Sequence, residues 1–313
     1  MRVVTLTLNP SLDTSSSVEA MEPDRKLRAS APRHDPGGGG LNVARVVAEL
    51  GVDALAVAAL GGHFGGVVED LVRARGLALR AVPIAGATRQ NMTVHDRTSG
   101  GDYRIIHPGP ALSNGEWDAV RAAVLAEVGP DTFVVLSGSL PAGVPDDGFA
   151  RLARDVVACG GRVVADTSGP ALAAVLDAPI VLAKPSMDEL ADITGRPIDG
   201  LAAAAAAAAG LVGGGRCSAL LVSAAAAGAV LVVAGADPVV LRPPEVTVVT
   251  TVGAGDSLVG GLVARLACGD DLTEAAVWGV AAGTATVTEA GTALARRSVV
   301  ERLRPQVQVL PLR

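Results

Sequence analysis

The chain has 313 residues, half of them hydrophobic and only 2% aromatic, with a formal net charge of −6. That length supports one large domain, or a domain with an accessory piece, with a core built from Ala, Val and Leu. The acidic balance argues against a nucleic-acid binder, which shows a basic excess. Cys159, Cys217 and Cys268 are widely spaced and form no CxxC pair. They exclude a disulfide framework or zinc cluster, fit a reducing cytoplasm, and read as small buried hydrophobes.

In chain order, "VVTLTLNP" reads as a strand, with no signal-peptide pattern before it. "SSSVEAM" and "KLRASAPRH" read as short segments of a half-exposed sheet. "PGGGG" breaks the chain before "LNVARVVAELG", where Leu41, Ala44, Val47, Ala48 and Leu50 repeat at helical spacing and Gly51 supplies a stop. "DALAVAAL" reads as a strand and "GGVVEDLVRARG" as a helix. Residues 88–107 read as a hairpin around "RTSGGD". Then strands and helices alternate: "TFVVLSGSLP", a helix over 147–158, "GRVVADTSG", "PALAAVL", "IVLAKPS" and "MDELADITG". The alanine run 201–209 reads as a packed helix. Residues 217–236 carry no charge and are long enough to span a bilayer, but small residues around Gly228 divide them into two buried strands. The alternation predicts an α/β fold with a largely parallel sheet, and the early β segments predict a small separate unit.

Ligands in such folds bind at the carboxyl ends of the strands. This directs attention to loops 9–13, 37–42, 137–141, 166–169, 184–189, 223–228 and 253–256. In "TTVGAGDSLVGGLVARLA" the apolar spacing starts a helix near Gly255 or Asp256. Gly253, Ala254 and Gly255 then leave backbone N–H groups open to an anion at a positive helix end. A carboxylate there repels phosphate unless it takes the proton from an attacking hydroxyl, as phosphoryl transfer requires. Asp is also a favoured helix cap, and spacing alone leaves cap and base level. The second glycine cluster, 37–40, allows a sugar-sized ligand against backbone, with Asn42 and Arg45 in reach. No Walker A loop and no protein-kinase signature occurs. Lys26, Arg89, Arg104 and Lys184 offer positive charge to a phosphorylated substrate. Glu189 has either a helix-end role or Mg²⁺ held through water.

With "DPGGGGLNVARVVAELG" and "TTVGAGDSLVGGLVARL" in this order and separation, the chain resembles the PfkB (ribokinase-like) family of carbohydrate kinases over essentially its whole length. "TLTLNPSLD" resembles the branch acting on phosphorylated hexoses, and "KLRASAP", "TRQN", "DYR", "PGPALS" and "SGSLPAGV" are most similar to its bacterial 6-phosphofructokinases. The all-glycine run points the same way, since the fructose-1-phosphate and tagatose-6-phosphate kinases usually carry a lysine within it.

The resemblance implies one domain over 1–313: a three-layer αβα sandwich with a mainly parallel central sheet, and a small β-sheet lid formed by about 12–35 and 88–107. It implies ATP-dependent phosphorylation of fructose 6-phosphate to fructose 1,6-bisphosphate in the cytoplasm. Asp256 would be the base, and Gly253, Ala254 and Gly255 the anion hole. Asp13, Gly38, Gly39 and Asn42 would hold sugar hydroxyls. Arg89, Arg104 and Ser139 would serve the sugar phosphate, and Lys26 would reach toward phosphate or nucleotide. Lys184, Ser186, Ser223 and Gly228 would line the ATP side, Glu189 would organise Mg²⁺, and Thr250 and Val252 would face a monovalent cation such as K⁺. Two lids would pack as a homodimer, with neither nucleic acid nor membrane as partner.

Two departures lie on the ATP side. Ser186 stands where the family usually has Asn, and alanines 224–227 replace a more polar loop. They predict altered nucleotide or Mg²⁺ affinity. The alternatives are a kinase for tagatose 6-phosphate or fructose 1-phosphate, and a degenerate sugar-phosphate-binding regulator.

Overall fold

Runs of Val, Leu and Ala bounded by Gly, Pro and Asp make the strands; the computed structural model describes residues 1–289 and 291–312. Strands β1 (Arg2–Thr7), β2 (Ser11–Val18) and β3 (Arg33–Gly37) lead into helix α1 (Gly39–Glu49). β4 (Ala54–Leu60), α2 (Gly62–Ala74), β5 (Ala78–Pro83), β6 (Arg89–Asp96) and β7 (Asp102–Ile105) follow. The middle holds α3 (Asn114–Leu125), β8 (Thr132–Ser137), α4 (Gly148–Ala158), β9 (Arg162–Asp166), α5 (Gly169–Val175), β10 (Leu182–Ala183), α6 (Met187–Thr194) and α7 (Gly200–Gly213). The last part holds β11 (Ala219–Ser223), β12 (Ala229–Val233), β13 (Val239–Arg242), α8 (Ala254–Cys268), α9 (Leu272–Val287), α10 (Arg297–Leu303) and β14 (Gln308–Pro311).

Among the described residues, ten strands form one sheet in the order β14-β13-β12-β11-β10-β9-β8-β1-β4-β5. From β11 to β5 all neighbours run parallel, and β12, β13 and β14 extend the sheet antiparallel. The parallel strands read as continuous apolar runs because both faces are covered. Alternate residues of β1 show this: Val4 and Leu6 join the core under α3, α4, α5, α6 and α7. Val3 points to the other core, shared with α1, α2, α8 and α9. Residues 217–236 are the antiparallel pair β11 and β12, not a membrane span. No described helix is long and apolar enough to cross a bilayer.

A second sheet, β3-β2-β6-β7, stands apart. β6 and β7 form the hairpin, with Thr93 opposite Arg104, and β2 pairs parallel with β6. Several expectations are corrected. Residues 26–32 are irregular, so "KLRASAPRH" contributes only Arg33 and His34 to a strand. Nothing apolar there has a core to face. The buried face of α1 is Leu41, Val43, Ala44, Val46 and Val47, with Val43 and Val46 against Gly260 of α8, and Ala48 is exposed on the other side. Cys217 is buried, but Cys159 and Cys268, at helix ends, are exposed free thiols.

Candidate active site

Because the central strands run parallel, their carboxyl ends share one rim. α8 begins there, one or two residues before the position that apolar spacing suggests. Its N-cap is Gly253 at φ 75, a left-handed conformation that glycine adopts without a Cβ clash. Asp256 sits in the first turn and does not cap the helix. The backbone N–H groups of Gly255 and Asp256 have no backbone acceptor among the described residues, so the helix end keeps open donors.

Asp256 is held from α1. Asn42 Nδ2 donates to Asp256 Oδ2 at 2.8 Å, and Arg45 donates to Asn42 Oδ1 at 3.3 Å. Gly39 makes the approach possible. A Cβ there would lie 2.3 Å from Ser137 Oγ and 3.2 Å from Asp256 Oδ1. Burial pushes the Asp256 carboxyl up to about 6, helped by the charges of Asp166 and Asp13, against Asn42 and Lys184.

Lys184 is nearly buried and pairs with Asp166 Oδ1 at 3.1 Å. Burial works against its charge, but Asp166 first, then Glu189 and Asp256, hold its pKa above the ordinary lysine value. Its Nζ would lie 3.8 Å from a Cβ on Gly255, so the ammonium stands beside the open helix end. Sequence reasoning marks Asp166 only as part of a strand-end loop and misses this pairing, which has no local signal.

On the small-sheet side, Asp13 accepts from Ser11 Oγ at 2.7 Å and Asn91 Nδ2 at 3.0 Å. Burial raises its carboxyl above the usual range, against those bonds and the Arg89 charge. Arg89 donates to the carbonyls of His107 and Asn9 at 2.9 and 3.2 Å. Ser139 Oγ accepts from Asn9 Nδ2 at 3.1 Å. Gly38, at φ 122, precedes α1. The side chains of Lys26 and Arg104 are exposed and make no hydrogen bond or ion pair among the described residues. One chain does not gather them into this cluster.

Across the rim, Ser186 and Glu189 form a reciprocal capping box at the start of α6. Ser186 Oγ accepts from the Glu189 N–H at 3.1 Å, and Glu189 Oε2 accepts from the Ser186 N–H at 2.7 Å. Glu189 also lines a cleft of about 260 Å³ with Asp192 and Gly169. Ser223 bonds back to Pro185, and the turn to Gly228 is tight, with Ala225 at φ 46. Thr250 Oγ1 accepts the Val252 N–H at 3.2 Å, and Thr250 N–H reaches Val287 O at 3.3 Å. No three His, Cys, Asp or Glu side chains converge as a metal cage among the described residues. Glu189 Oε1 accepts no protein hydrogen bond among them, which suits a water-mediated Mg²⁺ better than an all-protein cage.

A helix N-terminus with open donors, a carboxylate held beside it and a lysine between two acids is the geometry of phosphoryl transfer. Residues 6–298 match the model of the pfkB family carbohydrate kinases. The chain belongs to that family. This pfkB-family kinase is 37% identical over 308 residues to "ATP-dependent 6-phosphofructokinase isozyme 2" of Escherichia coli (strain K12), covering 97% of this chain and 98% of that protein. It is 35% identical over 278 residues to a "1-phosphofructokinase" of Xanthomonas campestris pv. campestris, covering 88% and 86%. The crystal structure of phosphofructokinase-2 from Escherichia coli in complex with potassium superposes with a TM-score of 0.93 at 36% identity, covering 97% of this chain and 98% of that one. The family's fold, a large mostly parallel sheet with a small separate sheet, is the one expected from the sequence motifs.

Proposed function

We propose that this chain transfers the γ-phosphoryl group of ATP to the 1-hydroxyl of fructose 6-phosphate, giving fructose 1,6-bisphosphate and ADP. The observation that carries the reading is the Asp256 carboxylate, held by Asn42 beside the open N–H groups of Gly255 and Asp256. In this reading Asp256 accepts the hydroxyl proton. A carboxyl poised at about 6 is ionised at neutral pH yet basic enough to pull on that proton. Asn42 fixes which oxygen faces the substrate. The Gly253–Gly255 backbone and Lys184 meet the developing negative charge. Asp13, Gly38, Gly39 and Asn42 hold the sugar. Arg89 and Ser139, with Arg104 and Lys26 brought in as the small sheet closes as a lid, hold its phosphate.

Mg²⁺, when bound, would supply neutralisation of the phosphate charge of ATP. Glu189 would hold it through water, while Lys184, Ser186, Ser223 and Gly228 line the nucleotide side and Thr250 and Val252 face a monovalent cation. The all-glycine run, which carries no lysine, favours fructose 6-phosphate over fructose 1-phosphate in this reading. Met92, Tyr103 and Ile105 are exposed on the small sheet, with exposed Ile106 just beyond β7. They support a homodimer formed lid to lid, since exposed apolar clusters mark interfaces.

An ADP-release assay over fructose 6-phosphate, fructose 1-phosphate and tagatose 6-phosphate tests this. The highest kcat/KM is expected with fructose 6-phosphate. Preference for another sugar phosphate overturns the substrate assignment, and no turnover with any overturns the kinase reading of this site.

A further inference from the structure

Away from the strand-end rim lies a second cavity, of about 450 Å³, between α1, the end of α2 and the segment leading into α10. Arg45, Arg75 and Arg296 line it against one carboxylate, Glu49, over an apolar floor that includes Leu77 and Leu294. Two of these guanidinium groups are already neutralised. Arg75 pairs with Asp35, and Arg296 with Glu289 at 2.9 Å. Arg45 is different. Among the described residues its one hydrogen bond is the 3.3 Å donation to the neutral amide of Asn42, and no carboxylate pairs with it. Glu49 instead accepts from the Arg297 N–H at 2.9 Å. Burial first, then repulsion from Arg75 and Arg33 against the attraction of Asp35, brings the Arg45 guanidinium down to about 10. A half-buried cation with no carboxylate in contact is costly, and an anion placed against it relieves that cost.

We propose that this cavity binds a small phosphate-bearing metabolite, held by Arg45 with Arg75 and Arg296. The guanidinium fork matches phosphate oxygens in pairs. The volume falls in the ~300–1,000 Å³ range of small-molecule sites. The site is separate from the substrate cleft but linked to it. An anion drawing Arg45 away from Asn42 acts one side chain from Asp256.

Equilibrium dialysis with radiolabelled pyrophosphate tests the proposal without turnover, so its outcome does not depend on the kinase reading. Ala48 is exposed on the cavity wall, and Ala48→Glu places a carboxylate against the arginines. Glu49→Gln removes the one lining carboxylate and keeps an acceptor for Arg297. The isotherm should contain a component weakened ~tenfold or more in Ala48→Glu, as losing a charge-assisted contact predicts. That component should be several-fold tighter in Glu49→Gln, weaken with added salt, and persist in Asp256→Asn. If Ala48→Glu does not fold, the Glu49→Gln comparison decides. Binding absent at millimolar pyrophosphate, or unchanged by these substitutions, overturns the proposal.

Discussion

Asp256→Asn tests both consequences of one buried carboxylate. The substitution keeps the shape of the side chain and an oxygen to accept from Asn42 Nδ2, now 2.8 Å away. It removes the base, and general base catalysis contributes ~10²–10⁴-fold. It also removes a charge that the fold holds at a disadvantage. A carboxyl moved from 3.8 to about 6 carries an ionisation cost of about 3 kcal/mol above that range, at about 1.4 kcal/mol per tenfold in proton affinity. The folded state binds this proton more tightly than the unfolded chain. The group's contribution to stability is therefore fully present below about 4 and is lost as pH rises through about 6. The amide of the variant carries no such cost, so a net gain of ~1–3 kcal/mol is expected at pH 8. The assay pairs kcat with fructose 6-phosphate against thermal unfolding of both proteins at pH 8 and pH 5. The variant should lose at least ~100-fold in kcat and melt higher at pH 8, with the gap narrowing at pH 5. Wild-type kcat should also rise through pH 6. A variant that keeps kcat within ~tenfold of wild type refutes the base assignment, and one that melts lower at pH 8 refutes the burial argument.

Asp166→Ala leaves the Lys184 ammonium buried without its 3.1 Å partner. It should destabilise the fold in chemical denaturation by up to ~3–5 kcal/mol, the cost of breaking a buried pair, eased by the remaining attraction of Glu189 and Asp256; a change under ~1 kcal/mol would mean the pair is solvated. Ser186→Asn keeps a good N-cap for α6 and adds amide reach on the nucleotide side. The concentration of Mg²⁺ or ATP giving half-maximal rate should fall, with melting temperature unchanged; no fall removes the idea that Ser186 weakens that side. Ile105→Asp puts a charge among the exposed apolar residues of the small sheet. Sedimentation should show wild type as a dimer and the variant as a monomer; an unchanged sedimentation coefficient rejects that face as the interface.

Much of the fold was legible because its signals are local. Buried parallel strands read as uninterrupted Val, Leu and Ala, helices repeat apolar residues at their own period, and glycine marks where backbone must turn or come close. Hence the strand pair inside 217–236 and, to within one or two residues, the helix that starts within "GAGD" could be read directly. The boundaries of the small sheet were less legible. Residues 26–32 carry strand-like residues but pair with nothing as a strand, because sheet membership depends on partners far along the chain. The buried face of α1 also depended on where α8 packs, which no period in α1 contains.

For the site, the chain by itself determined the two glycine-led helix starts and the carboxylate in one of them, because small residues and capping geometry act within a few positions. Only the tertiary structure decided what Asp256 meets. Parallel register sets Ala165 beside Ala183, so the next residue on each strand places Asp166 against Lys184 at the rim. The turn after β1 and the start of α1 bring Asn42 to Asp256 from 214 residues away. These contacts set the charge balance around Asp256, and they exist only once the sheet has ordered its strands.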